Sequence, residues 1–217
     1  MTETLRQELC RVGASLFARG YVHSTAGNLS SRIGSGTLIT PSDACLGFLD
    51  PTQLALVDDA GALQSGARAS KTLALHRAIY AADPAARCVI HSHSTHLVAL
   101  TLAGVWSEAD VLPPITPYYV MKVGHVPLVK YHRPADPALA QQVAALIAAA
   151  RQRGKPIRAV LLERLGPVVW HESPAAAMAL LEELEETARL WLITSAKPAP
   201  LGTEQLAELR THFNAPW

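Results

Sequence analysis

The chain has 217 residues, of which 49% are hydrophobic and 17% charged. Intrinsic disorder is excluded, because disordered chains combine few apolar residues with a high net charge. The 19 basic and 18 acidic residues give a formal net charge of +1, so the chain has no cationic excess typical of nucleic-acid binders. The length fits a single domain over residues 1–217. Few charges on a surface of this size also indicate that subunit contacts cover part of it.

The first third of the chain predicts one helix followed by two β-hairpins. An apolar stripe at helical spacing from Leu5 to Leu16 predicts the helix, and Gly20 is a typical stop signal. Alternating runs separated by glycine-rich or aspartate-rich turns predict the hairpins. Their strands are 28–33 and 37–40 around the turn 34–36, and 54–57 and 62–63 around the turn 58–61.

The remainder predicts helices on either side of further strands. Asp136-Pro137 and Ser173-Pro174 are each typical of an N-cap followed by a first-turn proline, and Ser70 is a third candidate N-cap. The predicted segments are a helix from 70 to about 82, a strand over 88–93, a helix over 137–153, two strands within 159–169 joined by a turn at 166–167, and helices over 174–192 and from about 203. Strands flanked by helices predict a mixed α/β (α+β) domain with three layers, α/β/α.

The chain's sharpest local motif is His91-Ser92-His93. Residues two apart on a strand face the same side, so both imidazoles could bind one zinc or similar ion. A hydrogen-bonded pair of core histidines is the alternative. Catalytic zinc normally has three protein ligands, and the spacing of the other histidines indicates no third one.

The absence of a recognisable targeting signal and the cysteine pattern together predict a cytoplasmic protein. The N-terminus lacks an apolar run behind a basic start, and no window approaches the ~18 uninterrupted apolar residues of a membrane span. Cys10, Cys45 and Cys88 are odd in number and lack CxxC spacing, which predicts free thiols. We therefore expect neither a membrane nor a nucleic acid as partner.

Segments along nearly the whole chain resemble the class II aldolase/adducin family. They are Gly27-Asn28-Leu29-Ser30, Thr40-Pro41-Ser42, 70–76, 89–96, 166–169 and 182–188. Within the family, Cys45-Leu46-Gly47, 118–121 and 126–129 are similar to the branch of 3-oxo-tetronate 4-phosphate decarboxylases. The resemblance implies a central, mainly antiparallel sheet between helix layers. It also implies a homotetramer with active sites at subunit contacts.

The resemblance further implies a carbon–carbon lyase, an aldolase or decarboxylase, for a small hydroxy- or oxo-acid such as a sugar-acid phosphate. In this family a divalent metal, usually zinc, with manganese or iron as alternatives, polarises the substrate carbonyl. His91 and His93 match two of its three histidine ligands. Asn28, Ser42 and Ser70 match positions in the loops that bind the substrate phosphate.

Three positions depart from the family pattern. Leu165 stands where the third histidine belongs, Thr72 replaces the catalytic glutamate, and Asp43 replaces a glycine of a phosphate-binding loop. Leucine has no lone pair for a metal, and a threonine hydroxyl is not a base near neutral pH without activation. The Asp43 carboxylate would repel a phosphate. The resemblance therefore implies an active site that is either retuned or lost.

Other residues could compensate for these departures. Glu163 precedes Leu165 by two, so on a strand it would face the same side and could supply a metal ligand or a proton acceptor. An exposed or arginine-paired glutamate is the alternative. Lys71 and Arg164 could bind a substrate carboxylate or be merely solvated, and His23 could enter the pocket.

Three functions stay open at this point. The leading one is the carbon–carbon lyase. Within it, decarboxylation tolerates the loss of the glutamate better than aldol cleavage does, because removal of a carboxylate beside a ketone needs mainly an electron sink. The first alternative is a catalytically degenerate, adducin-like binding or scaffold protein that holds no metal. The second is a redirected metalloenzyme for a non-phosphorylated substrate, which Asp43 would select.

Overall fold

A computed structural model describes residues 2–34 and 36–217. Its centre is an eight-stranded sheet in the order β4-β3-β2-β1-β5-β8-β7-β6. All neighbouring strands are antiparallel except β6 and β7. The strands are β1 Asn28–Ile33, β2 Gly36–Ile39, β3 Ala55–Asp58, β4 Leu63–Ser65, β5 Cys88–His91, β6 Leu128–Val129, β7 Ala159–Leu162 and β8 Gly166–His171. The helices are α1 Thr2–Ala18, α2 Leu73–Ala82, α3 Thr95–Ala103, α4 Pro117–Lys122, α5 Pro137–Gln152, α6 Pro174–Ile193 and α7 Thr203–Phe213.

Two apolar cores cover the two faces of the sheet. Successive side chains of a strand point to opposite faces, so Cys88 and Ile90 of β5 pack with α1, α3 and α6, whereas Val89 packs with α2 and α5. The same alternation divides Val168 and Val169 of β8 between the two cores. The expected three-layer fold with a mainly antiparallel sheet is therefore confirmed.

Two of the three predicted N-caps are confirmed. The side chains of Asp136 and Ser173 accept hydrogen bonds from backbone N–H groups in the first turns of α5 and α6. The prediction for Ser70 is wrong, because α2 begins at Leu73. The Ser70 hydroxyl lies 3.0 Å from that of Thr72, and the Leu73 N–H donates to the Ser70 carbonyl across a turn.

Two strands end earlier than predicted, and both differences concern the candidate site. β5 ends at His91, so His93 is not on the strand. β7 ends at Leu162, and the turn that follows has Arg164 in the left-handed region at φ 65°. Glu163 therefore lies in this turn, and the strand-face argument for it is wrong.

The predicted turn at 166–167 is wrong, because Gly166 and Pro167 pair with β7 as the first residues of β8, and the turn lies at 163–165. The remaining predictions are confirmed within a few residues, apart from the first hairpin turn at 34–36, where Ser35 lies outside the described residues. The short elements α3, α4 and β6 were not predicted. No helix in the described ranges is long and apolar enough to cross a membrane.

Candidate active site

Loops at one end of the sheet enclose a cavity of about 370 Å³. It lies where β1 begins and β5 and β7 end, beside the N-termini of α2 and α5. Eight of the nine site residues predicted from the sequence line it: Asn28, Ser42, Asp43, Ser70, Lys71, Thr72, His91 and His93. A larger cavity of about 810 Å³ lies between α1 and the β1–β2 hairpin, but its described lining includes none of the nine.

His91 and His93 form the polar centre of this cavity. Their ring centroids are 4.9 Å apart, although only His91 is on the strand. The Nδ1–H of His91 donates to the Pro167 carbonyl at 3.0 Å, which leaves its Nε2 lone pair available. Burial lowers the pKa of His91 to about 4 and also lowers that of His93. Both rings are therefore neutral at pH 7, the form that binds metal ions.

A third ligand of the expected kind is not beside this pair. Leu165 lines the cavity and offers no donor atom. Among the described residues, no group of three or more His, Cys, Asp and Glu side chains is arranged to hold a metal ion. His91 and His93 are thus suited to bind a divalent metal ion as a pair of ligands. Leu165 cannot be the third ligand.

Glu163 does not supply the missing ligand. It is absent from the cavity lining, and its carboxylate accepts a hydrogen bond from the Tyr131 N–H at 2.9 Å. The turn after β7 directs the carboxylate to the loop that follows β6. The structure therefore does not support Glu163 as a ligand or proton acceptor of the site.

A buried chain of hydrogen bonds connects Asn28 to α2. Asn28 itself lies opposite His91 in the pairing of β1 with β5. His76 Nε2–H donates to the Asn28 side-chain carbonyl at 2.6 Å, and its Nδ1 accepts from the Ser30 hydroxyl at 2.7 Å. Ser30 in turn accepts from the Tyr80 hydroxyl at 2.7 Å. Because its carbonyl oxygen is occupied, Asn28 keeps its NH₂ group as a donor for a ligand.

Sequence analysis did not identify His76 as the residue that orients the Asn28 side chain. Its pKa is lowered to about 3 by burial and then by His91. The signal that could have found it is the spacing of His76 and Tyr80, which lie four apart and so share one face of α2.

Asp43 sits at the rim of the cavity in the left-handed region, at φ 60°. Aspartate adopts this conformation more readily than most residues, so it can replace a glycine here. Its carboxylate lies 3.7 Å from Arg68 Nη2 and 3.8 Å from Lys71 Nζ. All three side chains are more than 60% exposed, so the pairs contribute little stability. They do leave a net charge of +1 at the rim.

Two contacts fix the segment that carries His93. The Glu185 carboxylate accepts from the N–H groups of His96 and Leu97 at 2.9 and 3.1 Å, at the start of α3. Gly166 packs so closely on the other side that a Cβ there would lie 2.4 Å from the Ser92 carbonyl oxygen.

Comparison with known proteins identifies a family and several relatives that this chain resembles. The family described as Class II Aldolase and Adducin N-terminal domain matches residues 7–192. A 3-oxo-tetronate 4-phosphate decarboxylase of Cupriavidus necator is 57% identical over 98% of this chain and 97% of that protein. One from Escherichia coli is 43% identical over 96% of each.

A solved structure gives the same result at the level of the fold. YgbL from Escherichia coli superposes with a TM-score of 0.88 at 40% identity, over 96% of this chain and 99% of that chain. These matches confirm the expected likeness to the decarboxylase branch and the expected class of enzyme, a carbon–carbon lyase. The chain belongs to the class II aldolase and adducin family.

Proposed function

We propose that the chain is a metal-assisted decarboxylase of 3-oxo sugar-acid phosphates, with 3-oxo-tetronate 4-phosphate as its substrate. The observation that carries this proposal is the pair of neutral histidine rings, 4.9 Å apart, in a cavity rimmed by amide, hydroxyl and amino groups. Relatives named for this reaction match almost the whole chain, which supports the same conclusion.

The substrate's own structure makes the reaction straightforward. It carries a carboxylate at C1, a hydroxyl at C2, a ketone at C3 and a phosphate at C4. When the C1–C2 bond breaks, CO₂ leaves and the electron pair passes from C2 into the C3 carbonyl as an enediolate. Protonation at C2 then gives dihydroxyacetone phosphate.

Class II aldolases generally use a divalent metal ion. Here His91 and His93 would hold it, and when bound such an ion supplies Lewis-acid polarisation of a substrate carbonyl. Zinc suits neutral imidazole ligands, with manganese or iron as alternatives.

The side chains at the rim bind and orient the anionic ends of the substrate in this proposal. The hydroxyls of Ser42 and Ser70, the NH₂ group of Asn28 and the ammonium of Lys71 are suited to phosphate or carboxylate oxygens. Thr72 needs no basic role, because the first bond to break is carbon–carbon and no proton is removed from carbon. A threonine at the glutamate position is therefore compatible with decarboxylation.

A non-phosphorylated 3-oxo acid is the second candidate substrate, and the Asp43 carboxylate is the observation that favours it. The neighbouring Arg68 and Lys71 outweigh that charge, which supports the phosphorylated substrate instead. The test is kcat/KM for CO₂ release from 3-oxo-tetronate 4-phosphate and from free 3-oxo-tetronate. We expect the phosphate ester to be preferred at least tenfold.

The opposite preference would support the second candidate, and no CO₂ from either acid would support a degenerate scaffold. Asp43→Asn supplies a further check, because it removes one exposed negative charge without changing side-chain size. We expect kcat/KM for the phosphate ester to rise by up to about fivefold, as for about 1 kcal/mol of relieved repulsion. A fall would show that Asp43 contacts the substrate favourably.

We further propose a homotetramer in the cytoplasm. Large apolar side chains on the surface, among them Phe48 at 81% and Ile193 at 63% exposure, support burial between subunits. Light scattering after size-exclusion chromatography tests the assembly, and a monomer of about 23 kDa would contradict it.

A further inference from the structure

We propose that Ser30 is a positioning residue that makes the cavity selective for a phosphate group. It acts through His76 on Asn28, and its own side chain does not line the cavity. The inference rests on the proposed function, in which Asn28 binds an anionic end of the substrate, and it assigns that end as the phosphate.

The buried chain from Asn28 to Tyr80 can carry its protons in two orders. A neutral imidazole donates from one ring nitrogen and accepts at the other, and a hydroxyl has one proton. In the first order, Tyr80 donates to Ser30 and Ser30 donates to His76. His76 then donates to the Asn28 carbonyl, which leaves the NH₂ group of Asn28 for the cavity. The second order reverses every bond and leaves the Asn28 carbonyl for the cavity instead.

The Tyr80 hydroxyl decides between the two orders, because its proton has one good acceptor. Its oxygen lies 2.7 Å from Ser30 Oγ but 3.5 Å from the Arg87 carbonyl. That carbonyl already accepts from the Arg32 N–H at 2.8 Å. Burial raises the pKa of Tyr80 well above its ordinary value, so the hydroxyl keeps its proton. The second order would strand this buried donor, which favours the first order by about fivefold or more.

Ser30 transmits this choice to the cavity. It is fully buried, and its hydroxyl lies 2.7 Å from both His76 Nδ1 and the Tyr80 hydroxyl. Because the Ser30 oxygen accepts the Tyr80 proton, its own proton goes to Nδ1, and the ring proton of His76 must be on Nε2. Without the Ser30 hydroxyl, neither ring nitrogen is fixed as the donor, and the Asn28 amide can present either end.

An amide fixed with its NH₂ group towards the cavity favours a ligand whose oxygens only accept hydrogen bonds. A phosphate monoester has a second pKa of about 6, so at pH 8 its oxygens are acceptors, and the outward carbonyl of the second order would repel them. The substrate carboxylate is a poorer partner for a fixed donor, because it loses its charge as CO₂ leaves. A donor held on it would stabilise the ground state more than the transition state.

The first test locates the ring proton of His76. Magic-angle-spinning NMR of the ¹⁵N-histidine-labelled full chain at pH 7 distinguishes a protonated ring nitrogen from an unprotonated one, and the signals that disappear in His76→Gln belong to His76. We expect the proton on Nε2 in the unmodified chain and signals of both proton positions in Ser30→Ala.

The second test measures binding of inorganic phosphate by calorimetry at pH 8. Ser30→Ala is compared with Ser31→Ala, because Ser31 is the next residue of β1, is also buried, and points to the opposite face of the sheet. Ser30→Ala should weaken phosphate binding by about threefold, since only part of the population then presents the NH₂ group. Ser31→Ala should bind phosphate as the unmodified chain does, and circular dichroism verifies that each variant is folded.

Kinetics separate positioning from general damage to the fold. With the phosphate ester, Ser30→Ala should raise KM by about threefold and leave kcat unchanged, because the phosphate is the same in substrate and transition state. With free 3-oxo-tetronate, the same variant should leave KM unchanged.

The outcomes separate this inference from the proposed function. A His76 proton on Nδ1 in the unmodified chain, equal phosphate binding in Ser30→Ala and Ser31→Ala, or no phosphate binding by the unmodified chain would each overturn it. An equal rise of KM for both acids would overturn the assignment of the phosphate. Weaker phosphate binding in Ser30→Ala without CO₂ release from any chain would support the inference and contradict the proposed decarboxylase. The ring measurement on the unmodified chain needs no folded Ser30 variant.

Discussion

Replacement of His76 by glutamine should make the protein less sensitive to acid. His76 is fully buried, donates to Asn28 and accepts from Ser30. A glutamine side chain can also donate and accept one hydrogen bond at this depth, but it does not titrate. His76→Gln therefore keeps the polarity of the chain behind Asn28 while it removes one buried ionisable group.

The size of the effect follows from the pKa of His76. Its value is 6.5 in an unperturbed histidine and about 3 in the folded protein, chiefly because of burial. Between those values the unfolded chain binds one more proton, so stability is complete above pH 6.5 and is lost as the pH falls towards 3. At pH 5.5, one unit below the unfolded value, the loss from this residue is about 1 kcal/mol relative to pH 7.

Urea unfolding at pH 7.0 and 5.5, at one protein concentration and with a chelator present, measures this difference. Other buried histidines, such as His91, add to the acid sensitivity of both proteins and cancel in the comparison. The loss of unfolding free energy between the two pH values should be about 1 kcal/mol smaller in His76→Gln. An equal loss in both proteins would refute the assignment of His76 as a buried neutral group.

Two further variants probe the segment that carries His93. Gly166→Ala should destabilise the fold by about 2 kcal/mol or more and weaken metal binding, because its Cβ would displace the Ser92 carbonyl. The control Gly154→Ala also has a positive φ but nothing within 4 Å, and equal losses in urea unfolding would contradict the packing argument. Glu185→Gln should cost about 1–3 kcal/mol, because one N–H at the start of α3 loses a charged acceptor. The exposed neighbour Glu186→Gln should cost under about 0.5 kcal/mol, and similar losses would argue against this role.

Local signals in the sequence predict most of the fold. The proline-linked caps at Asp136 and Ser173 are confirmed because their side chains bond to N–H groups within the same turn, an interaction that depends only on neighbouring residues. The failure at Ser70 has the opposite cause, because the chain there turns through two more residues before the helix begins. The α3 segment 95–103 is apolar on nearly all sides, so it shows no contrast between an apolar and a polar face from which a helix could be predicted.

The candidate site was only partly predictable. The His91-Ser92-His93 motif correctly predicted that the two rings lie together. The reasoning assumed that both residues are on one strand, but β5 ends at His91. The link from His76 to Ser30 joins residues 46 apart in the chain, and no local pattern contains such a pairing. The position of Glu163 likewise depends on where β7 ends, which its apolar run does not fix.

Decarboxylation assayed on the metal-loaded protein and on His91→Ala tests the central claim most directly. With zinc added, the unmodified chain should convert 3-oxo-tetronate 4-phosphate into equal amounts of CO₂ and dihydroxyacetone phosphate. His91→Ala should be at least about 100-fold slower, since a metal ligand should matter no less than the partners that orient one. No product from the unmodified chain, or an unchanged rate in folded His91→Ala, would contradict the account.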